Sequence, residues 1–330
     1  MAIAAVLLLL WSTGVLKPRP KIAIVTASGG PYWDLIIRGA EDAANRYHYK
    51  LTIVRAKGDE PSQTQQLRDL VGRGFDGVAV SPNDPPRQAA ALSDLAAEAS
   101  LVTFDSDSPI SNRICFVGTD NYDAGRMCGQ QITQAVPGGG EVIIAIGSLD
   151  KENGQRRRQG VIDELLERSF ERQRPMDAVE GVLKGPKYTI VATLVDGIDA
   201  DKATTLAADA IKANPNVKCI AGLFAYSTPA LLKALEQTQK VGQIQVVGFD
   251  AYEQTLNGIE AGTVSASICQ DAYNIGFEAV RICGDAASGE RRSLPLFPMF
   301  YLPCDSVTKT NVQSMRQDLK KYLSPTTKPA

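Results

Sequence analysis

Short apolar runs alternate with amphipathic stretches along most of the chain. Lys21–Val25 reads as a first strand, and Ser28-Gly29-Gly30-Pro31 as a turn. The 3.6-residue spacing of Ile36, Ala40, Ala43 and Tyr47 predicts a helix over Tyr32–Tyr47. Leu51–Val54 is a second strand; Pro61 opens a helix with Leu67, Leu70 and Val71 inward, and Gly74 can close it. Gly77–Val80 is the third strand, and the turn Ser81–Pro85 caps a helix that buries Ala89, Leu92 and Ala96. Leu101–Phe104 and Ile114–Val117 complete the set. Strands alternating with helices at this pace predict an α/β fold with a doubly wound parallel sheet.

The pattern then begins again. Tyr122–Ala135 is helical and ends at Gly138-Gly139-Gly140. Val142–Ile146, Thr189–Leu194, Lys218–Phe224 and Gln245–Phe249 read as strands. Helices are expected over Gly154–Phe170, Ala200–Ala213 and Thr228–Gln237. Gly248-Phe249-Asp250 leads into an amphipathic segment (Tyr252, Leu256, Ile259), then the run Val264–Ile268 and Gln270. Asp271–Ala287 is a helix, and Pro295 and Pro298 keep Leu294–Leu302 off a sheet centre. Two lobes of similar plan therefore share one chain, and a cleft between them is a favoured place for a small molecule.

Parallel sheets present their sites at the carboxyl ends of their strands. Asp105, Asp250 and Gln270 each follow such a strand, Arg157 falls near the start of a long helix, and Tyr32-Trp33 follow the first strand. Asp and Arg grip hydroxyls through charge-assisted hydrogen bonds, and aromatic rings can cover the apolar face of a sugar. Each residue has a plainer alternative. The two Asp can be helix caps, Arg157 a solvated charge beside Arg156 and Arg158, and Tyr32-Trp33 the first core turn of a helix.

Composition changes the picture in three places. The 330 residues suit two domains, and a net charge of -2 leaves no electrostatic footprint for nucleic acid. The single histidine, His48, sits at a helix end; no G-x-S-x-G, H-E-x-x-H, Walker loop or dinucleotide fingerprint is present, so neither an enzyme nor a cofactor is expected. Six cysteines lie scattered without a C-x-x-C pair, which disfavours a metal site; the even count in an exported chain allows disulfides, while apolar surroundings suit buried free thiols for most of them. The apolar run from Ala2 to Leu16 is shorter than the roughly 18–20 residues that span a bilayer comfortably. Residues 1–20 thus read as an export signal or short membrane anchor.

With these residues in view, the chain resembles the periplasmic sugar-binding proteins of ABC importers, in the ribose/galactose-binding type that also supplies the effector domain of LacI-family repressors. The resemblance rests on Gly30-Pro31-Tyr32-Trp33, Val102–Ser106, Val117–Asn121 with Ala124-Gly125, Gln155–Gly160, Val246–Asp250 and Ile268-Cys269-Gln270. It implies a type I periplasmic binding protein, with two lobes joined by a multi-strand hinge. Lobe 1 would be residues 21–118 plus 271–293, lobe 2 residues 119–270 plus 294–310, and residues 311–330 a C-terminal tail. It implies that Tyr32 and Trp33 sandwich a sugar, that Asp105, Arg157 and Asp250 take its hydroxyls, and that Gln270 is the amide at the hinge. Tyr226 or Ser227 would stand where ribose binders have Asn. Gly30 replaces a polar Asn of ribose binders, and Ser106 replaces an Arg beside the acid, which points away from ribose and toward a larger or differently substituted polyol.

The function implied is an exported, monomeric binding protein that delivers a monosaccharide or polyol to an ABC permease by hinge closure. Handing the ligand to a membrane sensor or kinase is the alternative. A LacI-type regulator would need a helix-turn-helix where the apolar leader stands.

Overall fold

The computed structural model describes residues 18–290 and 294–324. The apolar leader lies outside them, and no helix among the described residues is long and apolar enough to cross a membrane. Two sheets organise the chain. The first contains β1 (Lys21–Thr26), β2 (Lys50–Arg55), β3 (Gly77–Val80), β4 (Ser100–Phe104), β5 (Cys115–Thr119) and, far along the chain, β12 (Met299–Leu302), in the order β12-β5-β4-β3-β1-β2. The second contains β6 (Gly140–Ile146), β7 (Leu183–Lys184), β8 (Tyr188–Val195), β9 (Val217–Gly222), β10 (Gln245–Phe249), β11 (Ala266–Gln270) and β13 (Cys304–Val307), in the order β13-β11-β10-β9-β6-β8-β7. Strand pairing is parallel except where β7 meets β8 and β13 meets β11.

The sheets repeat one plan. In each, the opening strand has its next long partner on one side and the following strand on the other, so the winding reverses beside β1 and beside β6. Such reversals open a crevice at the strands' carboxyl ends. The central strands are apolar on both faces, as sheets covered by helices require. Ile22, Ile24, Val78, Val80, Val102 and Phe104 are fully buried in the first sheet; Ile143, Ile144, Ile220, Val246, Val247 and Phe249 are so in the second.

The helices in chain order are α1 (Pro31–Tyr47), α2 (Glu60–Leu70), α3 (Pro85–Glu98), α4 (Asn121–Ala135), α5 (Glu152–Leu165), α6 (Ala200–Ala213), α7 (Ser227–Gln237), α8 (Glu253–Ala261), α9 (Ala272–Ser288) and α10 (Val312–Leu323). Each lobe holds one helix pair in backbone contact through glycine. A Cβ on Gly39 of α1 would stand 1.9 Å from the Tyr273 carbonyl of α9, and one on Gly125 of α4 would stand 2.2 Å from the Arg157 carbonyl of α5. The second approach sets where Arg157 is presented.

Three features depart from the sequence-based expectation. Residues 294–310 were expected in lobe 2, but Met299–Leu302 pairs in parallel with Phe116–Thr119 at the edge of the first sheet. The chain crosses to the second sheet only at Pro303, because Cys304–Val307 pairs with β11. Residues 312–323 of the expected tail form α10, whose Met315 and Leu319 pack on the lobe 2 core while Tyr322 stacks on Tyr273 of α9 at 4.1 Å. The helix expected over Gly154–Phe170 spans Glu152–Leu165. Beyond it a loop is tied down by Arg168 and Arg174 on the buried Asp163. All six cysteines are free thiols, and five are buried.

Candidate functional site

The carboxyl ends of both sheets face one cavity of about 120 Å³ between the lobes. Tyr32, Trp33 and Asp105 reach it from lobe 1; Arg157, Tyr226, Asp250 and Gln270 reach it from lobe 2. The expectation placed all seven there. Ser106 and Ser227 are elsewhere. Ser106 is buried just past Asp105, its N–H turned back onto the Phe104 carbonyl at 2.6 Å. Ser227 is fully buried against Gly222 of β9, so of the two candidates at that position only Tyr226 lines the wall.

Neither carboxylate caps a helix. Asp105 and Asp250 both turn out of their strands through the left-handed region, with φ of 58° and 59°. Asp tolerates that conformation better than most residues. Asp105 accepts the Tyr32 hydroxyl at 2.8 Å and the Ser81 hydroxyl at 2.9 Å. Asp250 accepts the Gln270 amide on both oxygens at 3.2 Å. Burial lifts the Asp250 carboxyl to about 6, against the opposing pull of Arg157 and the Gln270 hydrogen bonds. Tyr32 is raised well above the usual phenol range, first by burial and then by the two carboxylates.

Arg157 is a fixed donor rather than a solvated charge, at 2% exposure. Nε donates to Asn121 Oδ1 at 2.8 Å, Nη1 to the Leu223 carbonyl at 3.0 Å and Nη2 to Gln270 Oε1 at 2.7 Å. Its guanidinium lies 4.7 Å from the Phe249 ring centre, within cation–π range. Gln270 is held between a donor, Arg157, and an acceptor, Asp250, which fixes its amide orientation. Asn121 and Gln270 flank two of the chain crossings, so Arg157 ties the hinge to the cavity wall. Tyr226 donates to Asp196, whose carboxyl is raised mainly by burial.

The structure adds wall residues that the sequence reading did not single out: Asn83, Lys151, Asn153, Phe224, Ile198 and Tyr252. All six lie beyond strand ends. Asn83 lies beyond β3, Lys151 and Asn153 beyond β6, Ile198 beyond β8, Phe224 beyond β9 and Tyr252 beyond β10. The amphipathic spacing with Leu256 and Ile259 predicts Tyr252 on the inward face of α8. It precedes that helix instead, and its ring packs on the lobe 1 core. Its hydroxyl stands 3.1 Å from where a Cβ on Gly30 would be. The side chain missing at Gly30, expected to leave room for a bulkier ligand, is thus replaced in part by a tyrosine from the opposite lobe.

Two lobes, three crossings and a polar cavity at facing strand ends define a ligand-binding clamp. The chain belongs to the periplasmic binding protein domain family, whose model matches residues 22–291. That is a family of binding proteins. The chain is 26% identical over 315 residues to the D-allose-binding periplasmic protein of Escherichia coli, covering 92% of this chain and 95% of that protein. It is 23% identical to the ribose import binding protein RbsB of Bacillus subtilis, covering 81% of each. Among solved structures it is similar to an ABC transporter solute-binding protein from Burkholderia graminis in complex with D-arabinose. There the TM-score is 0.78 and the identity 26%, over 91% of this chain and 99% of that one. A carbohydrate transporter solute-binding protein from Agrobacterium radiobacter gives a TM-score of 0.80 at 19% identity, over 93% and 99%.

Proposed function

We propose that this protein captures a monosaccharide or related polyol between its lobes, without altering it, and delivers it to an ABC permease outside the cytoplasm. The observation that carries the reading is the joint wall of Asp105, Asp250, Arg157 and Gln270 beside Trp33. Carboxylates accept from hydroxyls, the arginine and amide donate to them, and a ring face covers the C–H side of a sugar. Relatives that bind allose, ribose and arabinose support it. Among the described residues no histidine stands in the wall, and no cluster suits a metal ion. In this reading the site recognises its ligand rather than breaking bonds in it, and the protein works as a monomer. A ligand that touches both lobes favours the closed form through contacts the open form lacks.

Calorimetric titration with D-allose, D-ribose, D-arabinose and myo-inositol tests this. At least one should bind saturably, and Asp250→Ala should abolish that binding. Silence across a broad panel of neutral sugars and polyols, or an unaltered Asp250→Ala isotherm, overturns it.

A further inference from the structure

The cavity wall carries four formally charged side chains, Asp105, Asp250, Lys151 and Arg157. Their distribution between the lobes is uneven. Asp250 and Arg157 both belong to lobe 2 and are bridged by Gln270. Asp105 belongs to lobe 1, where hydroxyls of Tyr32 and Ser81 contact it and, among the described residues, no ion pair includes it. The adjacent lobe 1 cation, Arg113, is committed to Asp107. The remaining cation is Lys151, which comes from the opposite lobe and is 6% exposed.

Lys151 meets a prepared acceptor. Its ammonium donates to Asn83 Oδ1 at 3.2 Å, a bond that spans the cleft. Asn83 cannot turn away freely, since its Nδ2 donates to the Ala27 carbonyl at 2.9 Å and its backbone N–H to Gln63 Oε1 at 2.8 Å. Gln63 is itself fully buried and donates to the Thr26 and Ser81 carbonyls at 3.0 and 2.8 Å. A second buried amide, Gln88, donates to the same Gln63 oxygen at 3.0 Å. Two sealed glutamines in lobe 1 thus aim one asparagine oxygen across the cavity. An ammonium has three donors, and Asn83 takes one of them.

We propose that Lys151 is a closure-dependent specificity residue: by meeting Asn83 and facing Asp105 only when the lobes come together, it balances the cleft's charge and restricts the site to uncharged polyols. The claim rests on the sugar-binding reading above and adds the charge of the ligand to it. With Lys151 in place, two carboxylates face two cations, and a neutral ligand leaves the closed cleft neutral. Without it the closed cleft carries an excess negative charge, which opposes closure and favours a cationic guest.

The test uses the full chain with Lys151→Met, Lys151→Arg and Lys151→Glu. Calorimetry at pH 7 compares D-glucose, D-galactose and D-allose with the corresponding 2-amino-2-deoxy sugars. Lys151→Met should weaken the neutral sugar by about tenfold, the scale of one charge-assisted hydrogen bond, and shift preference toward the amino sugar. Lys151→Arg should restore most of the neutral-sugar affinity. An unchanged neutral-to-amino preference in Lys151→Met overturns the proposal. X-ray scattering of ligand-free protein reads the latch without any sugar. Lys151→Glu should give a larger radius of gyration than wild type, and superimposable curves overturn the proposal. If the wild type binds no sugar at all, the polyol reading fails on the calorimetry while the latch still stands or falls on the scattering.

Discussion

Arg157 and Arg158 are neighbours on one helix, and both are all but sealed from solvent, at 2% and 1% exposure. Their surroundings differ in kind. Arg158 donates to Thr193 and to the carbonyls of Asp177 and Ala178 at 3.0, 2.8 and 2.6 Å. Next to it the fully buried Asp163 accepts from Tyr122, Gln159, Arg168 and Arg174. That cluster is closed: acids, bases and amides answer one another, and they pin the loop after α5 to the lobe. Arg157, one residue earlier, lines the inter-lobe cavity with Asp250 and Gln270. There burial raises the Asp250 carboxyl to about 6, and the donors that reach its oxygens, among the described residues, all come from Gln270. A buried polar cluster with surplus acceptors is built to be completed by something else; one without them is structural.

The largest effect that can break this contrast comes from exchanging each acid for its amide. Asp163→Asn should lower unfolding free energy by about 1–3 kcal/mol, since a fully buried acceptor of Tyr122 and Gln159 is replaced by an amide that turns an N–H2 toward those donors. Asp250→Asn should leave it within about 1 kcal/mol of wild type, because its carboxylate form is the one burial disfavours. It should weaken sugar binding about a hundredfold, by loss of a charged acceptor. Urea melts and calorimetry on the two variants check this. Equal destabilisation would erase the distinction.

A middle-sized effect sharpens it. Gly125→Ala places a methyl group 2.2 Å from the Arg157 carbonyl, so α4 and α5 must separate. Overpacking of this kind costs about 1–3 kcal/mol. Binding should suffer with it, because the same backbone carries Arg157 to the cavity. A variant with wild-type affinity and reduced stability would show that Arg157 is not positioned by this contact.

The smallest effect is one of pH. Asp250 has its carboxyl raised from the ordinary 3.8 to about 6. In the ligand-free protein the folded state therefore holds a proton that the unfolded chain has lost, and this group's contribution to stability falls as pH rises from 4 to 6. Ligand hydroxyls need the ionised acceptor, so affinity should run the other way and rise about tenfold between pH 5 and pH 7. A flat affinity profile over that range would remove Asp250 from the ligand's hydrogen bonds.

Much of this site was legible in the sequence, for a physical reason. Asp105, Asp250 and Gln270 each stand at the carboxyl end of a buried strand, so position along the chain fixes position in the fold. Arg157 was separable from Arg156 and Arg158 only through the family resemblance, since three successive arginines carry no local mark of which one faces a cavity. Lys151 and Asn83 were missed because a turn accounts for both residue types. Their pairing joins positions 68 apart in the chain, on different lobes. The misplaced third crossing has the same origin: β12 belongs to the first sheet through pairing with β5, far back in the sequence.

The most direct test of the clamp is a crystal structure with the tightest binder of the neutral sugar panel. The account predicts that sugar between the lobes, with hydroxyl oxygens within hydrogen-bonding distance of Asp105 and Asp250 and a ring face against Trp33. A sugar held on an outer surface, or a cleft that crystallises closed and ligand-free at saturating concentration, would contradict it.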